Sequence, residues 1–148
     1  MKVLIAAIGK AKAASPEQHL YADYLARLPW KISCKEFDIR PADKRKEAEK
    51  LLAACAGYSR IVALDETGKN LSSAEFSEQL KQWQQQGNSS VAFLIGGADG
   101  LDASARQAAH LVWSLGRATW PHLLVRTLLA EQLYRAHTIL TGHPYHRA

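Results

Sequence analysis

Short apolar segments alternate with amphipathic ones along this chain of 148 residues, and this alternation constrains the fold more than any other feature. The run from Ser90 to Gly97 is apolar almost throughout, as is typical of a strand buried on both faces of a parallel sheet. The predicted strands span residues 2–9, 30–39, 60–65, 90–97 and 111–115, and the predicted helices span residues 15–28, 43–56, 72–87, 101–109 and 121–140. We therefore predict an α/β fold, with helices flanking a mainly parallel sheet in a single domain over residues 1–148.

The composition excludes several classes of protein. Apolar residues make up 47% of the chain and charged residues 22%, which are ordinary globular values and argue against disorder. The apolar run Val3–Ile8 is too short for a secretory signal, and no run is long enough to span a membrane. Cys34 and Cys55 stand alone, without metal-ligand spacing. We therefore predict no metal site and a reducing, cytoplasmic location.

The chain is basic, with a formal net charge of +5 at pH 7 and a pI near 9.3. Such a charge permits an anionic partner, most commonly nucleic acid, although a basic protein without such a partner is also compatible with it. Four cations cluster on the second predicted helix, namely Lys44, Arg45, Lys46 and Lys50. They form either a surface for an RNA backbone or a solvated face that Glu47 and Glu49 balance.

Glycines follow the fourth predicted strand, where parallel sheets commonly bind ligands. Gly96, Gly97 and Gly100 lie between this strand and the next predicted helix. Neither the phosphate-binding loop pattern nor the dinucleotide-binding fingerprint is present. The glycines therefore either let the backbone approach a ligand closely or form a tight turn.

Two further strand ends carry small or polar residues. Leu64, Asp65 and Gly68 follow the third strand, while Gly116 and Thr119 follow the fifth. Because the carboxyl ends of parallel strands lie at one edge of a sheet, the three loops could form the walls of a single pocket.

Three segments together resemble the RlmH family of bacterial large-subunit ribosomal RNA methyltransferases, within the SPOUT class of knotted enzymes. They are residues 94–101, residues 114–136 and the terminal His143–Arg147, and residues 2–10 and 60–69 also fit. The resemblance implies a C-terminal deep trefoil knot, which is a rare topology, and S-adenosyl-L-methionine as methyl donor. It implies methylation of N3 of a pseudouridine in a stem-loop of 23S rRNA. It further implies a homodimer that acts on rRNA within the ribosome, without a metal and with neither DNA nor a membrane as partner.

The resemblance also implies which residues form the site. Donor contacts are implied for Leu64, Gly96, Gly97, Gly116, Arg117, Ala118, Thr119, Trp120 and Pro121. Trp120 stands where relatives carry a smaller apolar residue. The candidates for the catalytic step are Tyr145, His146, His143 and Arg126.

The final residues suggest how these catalytic groups would act. Tyr145 could stack on the exposed target base, His143 or His146 could take the N3 proton, and Arg147 could pair with a phosphate. Terminal histidines are often merely solvated, however, and which residue is the base stays open. Arg126, on the last predicted helix, is a candidate for contact with RNA or with the partner subunit.

Two other functions are compatible with the sequence. The chain could be a ribosome-binding or RNA-binding module that has kept the fold without catalysis, or an α/β protein that binds another nucleotide. A methyltransferase of the same class with a different RNA target is a closer alternative. The glycine loops favour catalysis, because a pure binding module has no need of them.

Overall fold

The computed structural model describes residues 1–147, in which a parallel five-stranded sheet lies between two layers of helices. The strands are β1 (Lys2–Ile8), β2 (Lys31–Phe37), β3 (Arg60–Lys69), β4 (Ser90–Ile95) and β5 (Leu111–Trp113). The helices are α1 (Pro16–Ala26), α2 (Lys44–Ala54), α3 (Ser73–Gln85), α4 (Ala103–Ala108) and α5 (His122–Thr141). The strand order is β2-β1-β4-β3-β5, and every pairing is parallel. The predicted α/β fold is confirmed, while the trefoil knot stays a prediction.

The sheet is buried on both faces, which explains why its central strands are apolar at successive positions. Val3, Ile5 and Phe93 point to the side covered by α1, α3 and α5, whereas Leu4 and Leu94 point to the side covered by α2 and α4. All five side chains are at most 1% exposed. Burial on both faces is expected of a parallel sheet, because the helices that connect its strands cover both faces.

The predicted capping sequences begin their helices where expected. The Ser72 hydroxyl accepts from the Glu75 N–H, and the Glu75 carboxylate accepts in return from the Ser72 N–H. The Ser15 hydroxyl accepts from the Gln18 N–H at 3.2 Å. Both serines therefore satisfy backbone groups that the first helical turn leaves free.

The end of β3 differs from the prediction. The strand continues to Lys69, and residues 65–68 form an irregularity, because both Leu64 and Lys69 pair with Trp113 of β5. A Cβ atom on Gly68 would lie 2.4 Å from the carbonyl oxygen of Val112. Gly68 therefore belongs to the packing between β3 and β5, and not to a pocket wall.

The last helix ends in a glycine cap. Gly142 has a φ of +73°, the left-handed conformation that glycine adopts without cost. The His143 N–H then donates to the carbonyl of Thr138 at 2.9 Å. This cap turns the chain back, and residues 143–147, called the tail below, lie along α5.

Candidate functional site

A cleft opens at the carboxyl ends of β3, β4 and β5, which are neighbours in the sheet. Its volume is about 460 Å³, which is within the range of small-molecule sites. Its walls come from residues 64–67 in the irregular second half of β3, residues 97–101 after β4 and most of residues 113–120 from the end of β5 onward. The structure thus brings together the three strand ends that the sequence analysis singles out.

The two adjacent glycines after β4 have different surroundings. A Cβ on Gly96 would lie 2.7 Å from the carbonyl carbon of Gly100, so the chain can turn back on itself here only because Gly96 lacks a side chain. Gly97 borders the cleft, but a Cβ on it would point at the core, 3.1 Å from Cγ2 of Ile8. The tight turn is therefore present at Gly96. At Gly97, backbone atoms form the wall of the cleft. A side chain added at Gly97 would press on the core and would not fill the cleft.

Ser114 fixes the loop that follows β5. Its hydroxyl donates to the carbonyl of Gly116 at 2.9 Å and accepts from the Gly116 N–H at 3.1 Å. Gly116 has a φ of +112°, which residues with a side chain rarely adopt. After this bend, residues 117–120 are exposed.

The cleft carries charges of both signs. Asp65 and Glu66 lie on the wall that the irregular part of β3 forms, and Asp99 lies in the glycine segment. Lys44 and Arg106 border the same space from α2 and α4. Carboxylates accept hydrogen bonds from hydroxyl and ammonium groups, so this wall suits a ligand that carries a cationic centre and hydroxyls.

Two tryptophans line the cleft, Trp113 and Trp120. Trp113 is buried and stacks on Phe76, with ring centroids 4.1 Å apart and planes 17° apart. Trp120 lies at the rim and is 42% exposed. The cleft is therefore lined by one buried indole, that of Trp113, and by one solvent-accessible indole, that of Trp120.

The residues predicted to contact the donor fall into two groups. Those that line the cleft are Leu64, Gly97, Gly116, Ala118, Thr119 and Trp120; those that do not line it are Gly96, Arg117 and Pro121. The sequence analysis did not assign four charged residues to this cleft, namely Glu66, Asp99, Lys44 and Arg106. The position of Asp65 at the end of a strand was the one available signal for the acidic wall.

The tail does not line the cleft of its own chain. Tyr145 lies on α5 instead, where its hydroxyl donates to Glu131 Oε1 at 3.0 Å and lies 3.4 Å from the hydroxyl of Tyr24. Its ring meets Tyr134 edge-on at 4.7 Å, and the Arg135 guanidinium lies over it at 4.8 Å. The tail thus makes its contacts with the same chain, roughly two to three turns of α5 away from the cleft.

Arg126 is buried, contrary to its predicted role in contacting RNA. Its side chain is 4% exposed and pairs with the carboxylate of Glu36. It also donates to the carbonyls of Ile8 at 3.2 Å and Gly9 at 2.8 Å. These contacts join α5 to the ends of β1 and β2 and give Arg126 a structural role.

A metal site and a membrane-spanning helix were considered for residues 1–147. In this part of the chain, no three His, Cys, Asp or Glu side chains lie close enough together to hold a metal ion. Among the same residues, no helix is long and apolar enough to cross a membrane.

Comparison with known families and structures gives a consistent result. Residues 1–146 match the family described as "Predicted SPOUT methyltransferase". The chain is 52% identical over 152 residues to "Ribosomal RNA large subunit methyltransferase H" of Paramagnetospirillum magneticum, with 99% of each chain covered. It is 46% identical to the protein of the same name from Rhodospirillum centenum, with 100% of each covered.

A solved structure supports the fold. The crystal structure of a probable methyltransferase from Bordetella pertussis Tohama I superposes with a TM-score of 0.60, covering 90% of this chain and 95% of that one. The two sequences are only 12% identical, so the likeness concerns the architecture alone.

Proposed function

Because this chain belongs to the SPOUT methyltransferase family, we propose that it methylates N3 of a pseudouridine in a stem-loop of 23S rRNA. The methyl donor in this proposal is S-adenosyl-L-methionine, and the substrate is the rRNA within the ribosome. A substrate within the ribosome implies a cytoplasmic location, which is part of this proposal. The observation that carries the proposal is the cleft at the ends of β3, β4 and β5, in a chain that matches ribosomal RNA methyltransferases along its whole length.

The shape and charge of the cleft support donor binding. Its volume of about 460 Å³ suits a nucleoside with an amino-acid side arm. The carboxylates of Asp65, Glu66 and Asp99 can face the ribose hydroxyls, the ammonium group and the sulfonium of such a ligand. Because Gly97 and Gly116 have no side chain, the ligand can approach the backbone closely at these two positions.

The proposed reaction is an in-line displacement. The lone pair of the deprotonated N3 attacks the methyl carbon, the C–N bond forms, and the C–S bond breaks to leave a neutral thioether. The N3 proton must be lost first, and the protein has to align the two reactants and stabilise the resulting anion. The methyl donor and an acceptor for the N3 proton account for every bond change, so the step calls for no metal.

The rRNA has to approach a cleft that lies beside the exposed cations of α2. Glu47 on α2 is only 6% exposed and turns toward Gly97, where its Oε1 would lie 3.7 Å from a Cβ on that glycine. Glu47 therefore does not balance the exposed cations of α2, which are Lys44, Arg45, Lys46 and Lys50. The acidic groups near them are Asp43 and Glu49 on the helix and Asp102, which lies close to Lys44 and Arg45. Since Lys44 also borders the cleft, this face supports a contact with the RNA backbone.

A methyl-incorporation assay tests the function directly, on ribosomes that lack the modification. We expect the purified protein to transfer a labelled methyl group to 23S rRNA, and mapping should place it on N3 of a single pseudouridine. Label on another RNA would favour a different target, and ribosome binding without transfer would favour a non-catalytic module.

A blocked cleft is expected to abolish donor binding. Ala118 is exposed and lines the cleft, so Ala118→Trp should fill the space and lower affinity for S-adenosyl-L-methionine by at least about 100-fold, which is about 2.7 kcal/mol. Calorimetry measures the affinity, and a thermal melt checks the fold. Ala108→Trp is the matched control, because Ala108 is exposed on α4 and away from the cleft. Equal affinity in the two variants would show that the donor binds elsewhere.

We also propose a homodimer in which α5 takes part. Leu129 and Leu133 are buried in the core of the same chain, but seven further apolar side chains of this helix are only partly covered: Leu123, Leu124, Val125, Leu128, Tyr134, Ile139 and Leu140. Leu20 on the adjacent α1 is 47% exposed. This surface is larger than one buried stripe requires, and a two-fold interface would cover it.

The dimer is testable by light scattering at micromolar concentration. We expect a dimeric mass for the natural chain. Leu124→Glu should weaken association at least about tenfold, because it would bury an unpaired carboxylate in the interface. Ala53→Glu, which adds the same charge to the exposed side of α2, should leave the mass unchanged. A monomeric natural chain would rule out the proposed assembly.

A further inference from the structure

We propose that His146 acts as a neutral hydrogen-bond donor through Nε2, and that Arg135, held by Glu131, is the positioning residue that fixes this tautomer. The inference rests on the proposed function, since the recipient of the hydrogen bond is the target base. It concerns the step in which negative charge develops on the pyrimidine ring.

Glu131 fixes the orientation of the Arg135 guanidinium. Its Oε1 accepts from Arg135 Nε at 2.9 Å and from Arg135 Nη2 at 2.6 Å. The two side chains are 19% and 26% exposed, respectively. An ion pair with two donors on one planar group restrains that group far more than a single surface contact does.

The remaining edge of this guanidinium faces the tail. Arg135 Nη1 lies 3.2 Å from Nδ1 of His146. A guanidinium has only donor N–H groups and no acceptor. Nδ1 must therefore accept, and the proton of the neutral imidazole must lie on Nε2.

This tautomer determines what His146 can do. Its Nδ1 lone pair is engaged with Arg135, and its Nε2 carries a proton, so neither nitrogen has a free lone pair with which to take the N3 proton. The Nε2–H can instead donate to a carbonyl oxygen adjacent to N3. As the N3 proton leaves to water, the negative charge spreads onto that oxygen, and the hydrogen bond strengthens.

The other polar groups of the tail are engaged in similar ways. Nδ1 of His143 accepts from the Tyr145 N–H at 3.1 Å, which gives its neutral ring the same tautomer. The Tyr145 hydroxyl donates to Glu131, and burial together with its hydrogen bonds to Tyr24 and Glu131 raises its pKa above the usual value. The tail is thus built to donate hydrogen bonds rather than to remove a proton.

Two substitutions at His146 separate a donor from a base. Glutamine keeps an N–H donor at a similar reach but has no basic nitrogen, whereas alanine has neither. We expect His146→Ala to lower the rate of methyl transfer about 100-fold to 1,000-fold at saturating ribosomes, and His146→Gln to stay within about tenfold of the natural chain. A glutamine variant as slow as the alanine variant, with donor affinity and melting temperature unchanged, would overturn the proposal.

A spectroscopic measurement tests the tautomer without using activity. In long-range proton–nitrogen spectra of the histidine-labelled full chain, His146 is identified by the signal lost in His146→Gln. We expect its Nδ1 to be unprotonated and its Nε2 protonated in the natural chain, and a mixture of tautomers in Arg135→Met. Arg27→Met is the control, because Arg27 packs on Tyr24 and Tyr134 in the same cluster and leaves the Arg135 contact intact.

The two measurements distinguish a failure of the tautomer assignment from a failure of the proposed function. A proton on Nδ1 of the natural chain would overturn the assignment, whatever the enzyme methylates. Absence of any methyl transfer by the natural chain would instead contradict the proposed function, while the tautomer could still be read from the spectra.

Discussion

A chain that ends at His143 is expected to keep its fold and its affinity for S-adenosyl-L-methionine, and to lose methyl transfer to ribosomes by at least about 100-fold. The reason is that the tail contributes nothing to the cleft of its own chain, yet it carries Tyr145, His146 and Arg147 in an ordered arrangement. These groups belong to the RNA step in our proposal, and donor binding should proceed without them.

The position of the truncation follows from the structure. Gly142 and His143 close the last turn of α5, through the left-handed glycine and the bond from the His143 N–H to Thr138. Ending the chain at Thr141 would remove this cap and fray the helix, so that lost activity could reflect lost order. Ending it at His143 keeps the cap and removes residues 144–148 only. Calorimetry with the donor, a thermal melt and methyl incorporation then measure the three properties separately.

Mixed dimers test whether the tail serves the cleft of the other protomer. α5 borders the cleft at Val125 and holds the tail at Glu131 and Arg135, which is roughly 9–15 Å farther along the helix axis. One protomer carries Ala118→Trp and an intact tail, while the other has an open cleft and ends at His143. If the tail acts on its partner, the mixture regains activity that neither protein has alone.

Either of two results would contradict this picture. Full activity of the truncated chain would show that the tail has no part in transfer. No recovery in mixed dimers of proven composition would show that each tail serves its own chain, which would require it to leave its contacts with Glu131 and Tyr134.

The layered fold could be predicted because its signals are local. The central strands β1 and β4 are apolar over five or six successive residues, and the serine caps at Ser15 and Ser72 satisfy groups in their own first turn. The glycines that follow a strand or a helix were informative for a similar reason, since Gly116 after β5 and Gly142 after α5 adopt conformations that favour glycine whatever surrounds them. The carboxyl edge of the sheet then follows from the parallel order.

The details that could not be predicted depend on contacts between distant segments. Gly68 looked like a loop glycine, but its role is set by Val112, 44 residues away in the chain. Glu47 looked like a surface counter-charge, and its burial depends on how α2 packs beside Gly97. No periodicity in the sequence encodes these pairings, because each requires the tertiary arrangement to exist first.

Arg126 is the clearest case, and its replacement is expected to have the largest effect on stability. The sequence placed it on an amphipathic helix as a candidate for RNA contact, but the structure buries it to 3% exposure. It donates to the carbonyls of Ile8 and Gly9 and pairs with Glu36. Arg126→Met keeps the apolar stem and removes every one of these bonds. We expect the free energy of unfolding to fall by about 3 kcal/mol, since bonds to charged groups contribute about 1.5–3 kcal/mol each and are not additive.

A double-mutant cycle with Glu36→Gln isolates the ion pair from the carbonyl contacts. Urea unfolding at a fixed protein concentration gives the four free energies. Each substitution should lower the free energy of unfolding more in the natural chain than in the chain that already carries the other substitution. Additive losses would show that the ion pair contributes nothing beyond the bonds to the two carbonyls. In that case the stabilisation would come from the bonds to Ile8 and Gly9 alone.

The coupling should also depend on pH in a defined direction. Partial burial alone would raise the pKa of Glu36, but the Ala11 N–H and the Arg126 guanidinium, which both donate to its carboxylate, bring it below the ordinary value of 4.5. A carboxyl whose pKa is lowered in the folded state stabilises that state above its unfolded pKa, and this contribution is lost as the pH falls through the folded value. We therefore expect the coupling energy measured at pH 7 to persist down to about pH 5 and to shrink below pH 4.5. A coupling that stays constant into that acid range would show that the Glu36 charge is not what Arg126 binds.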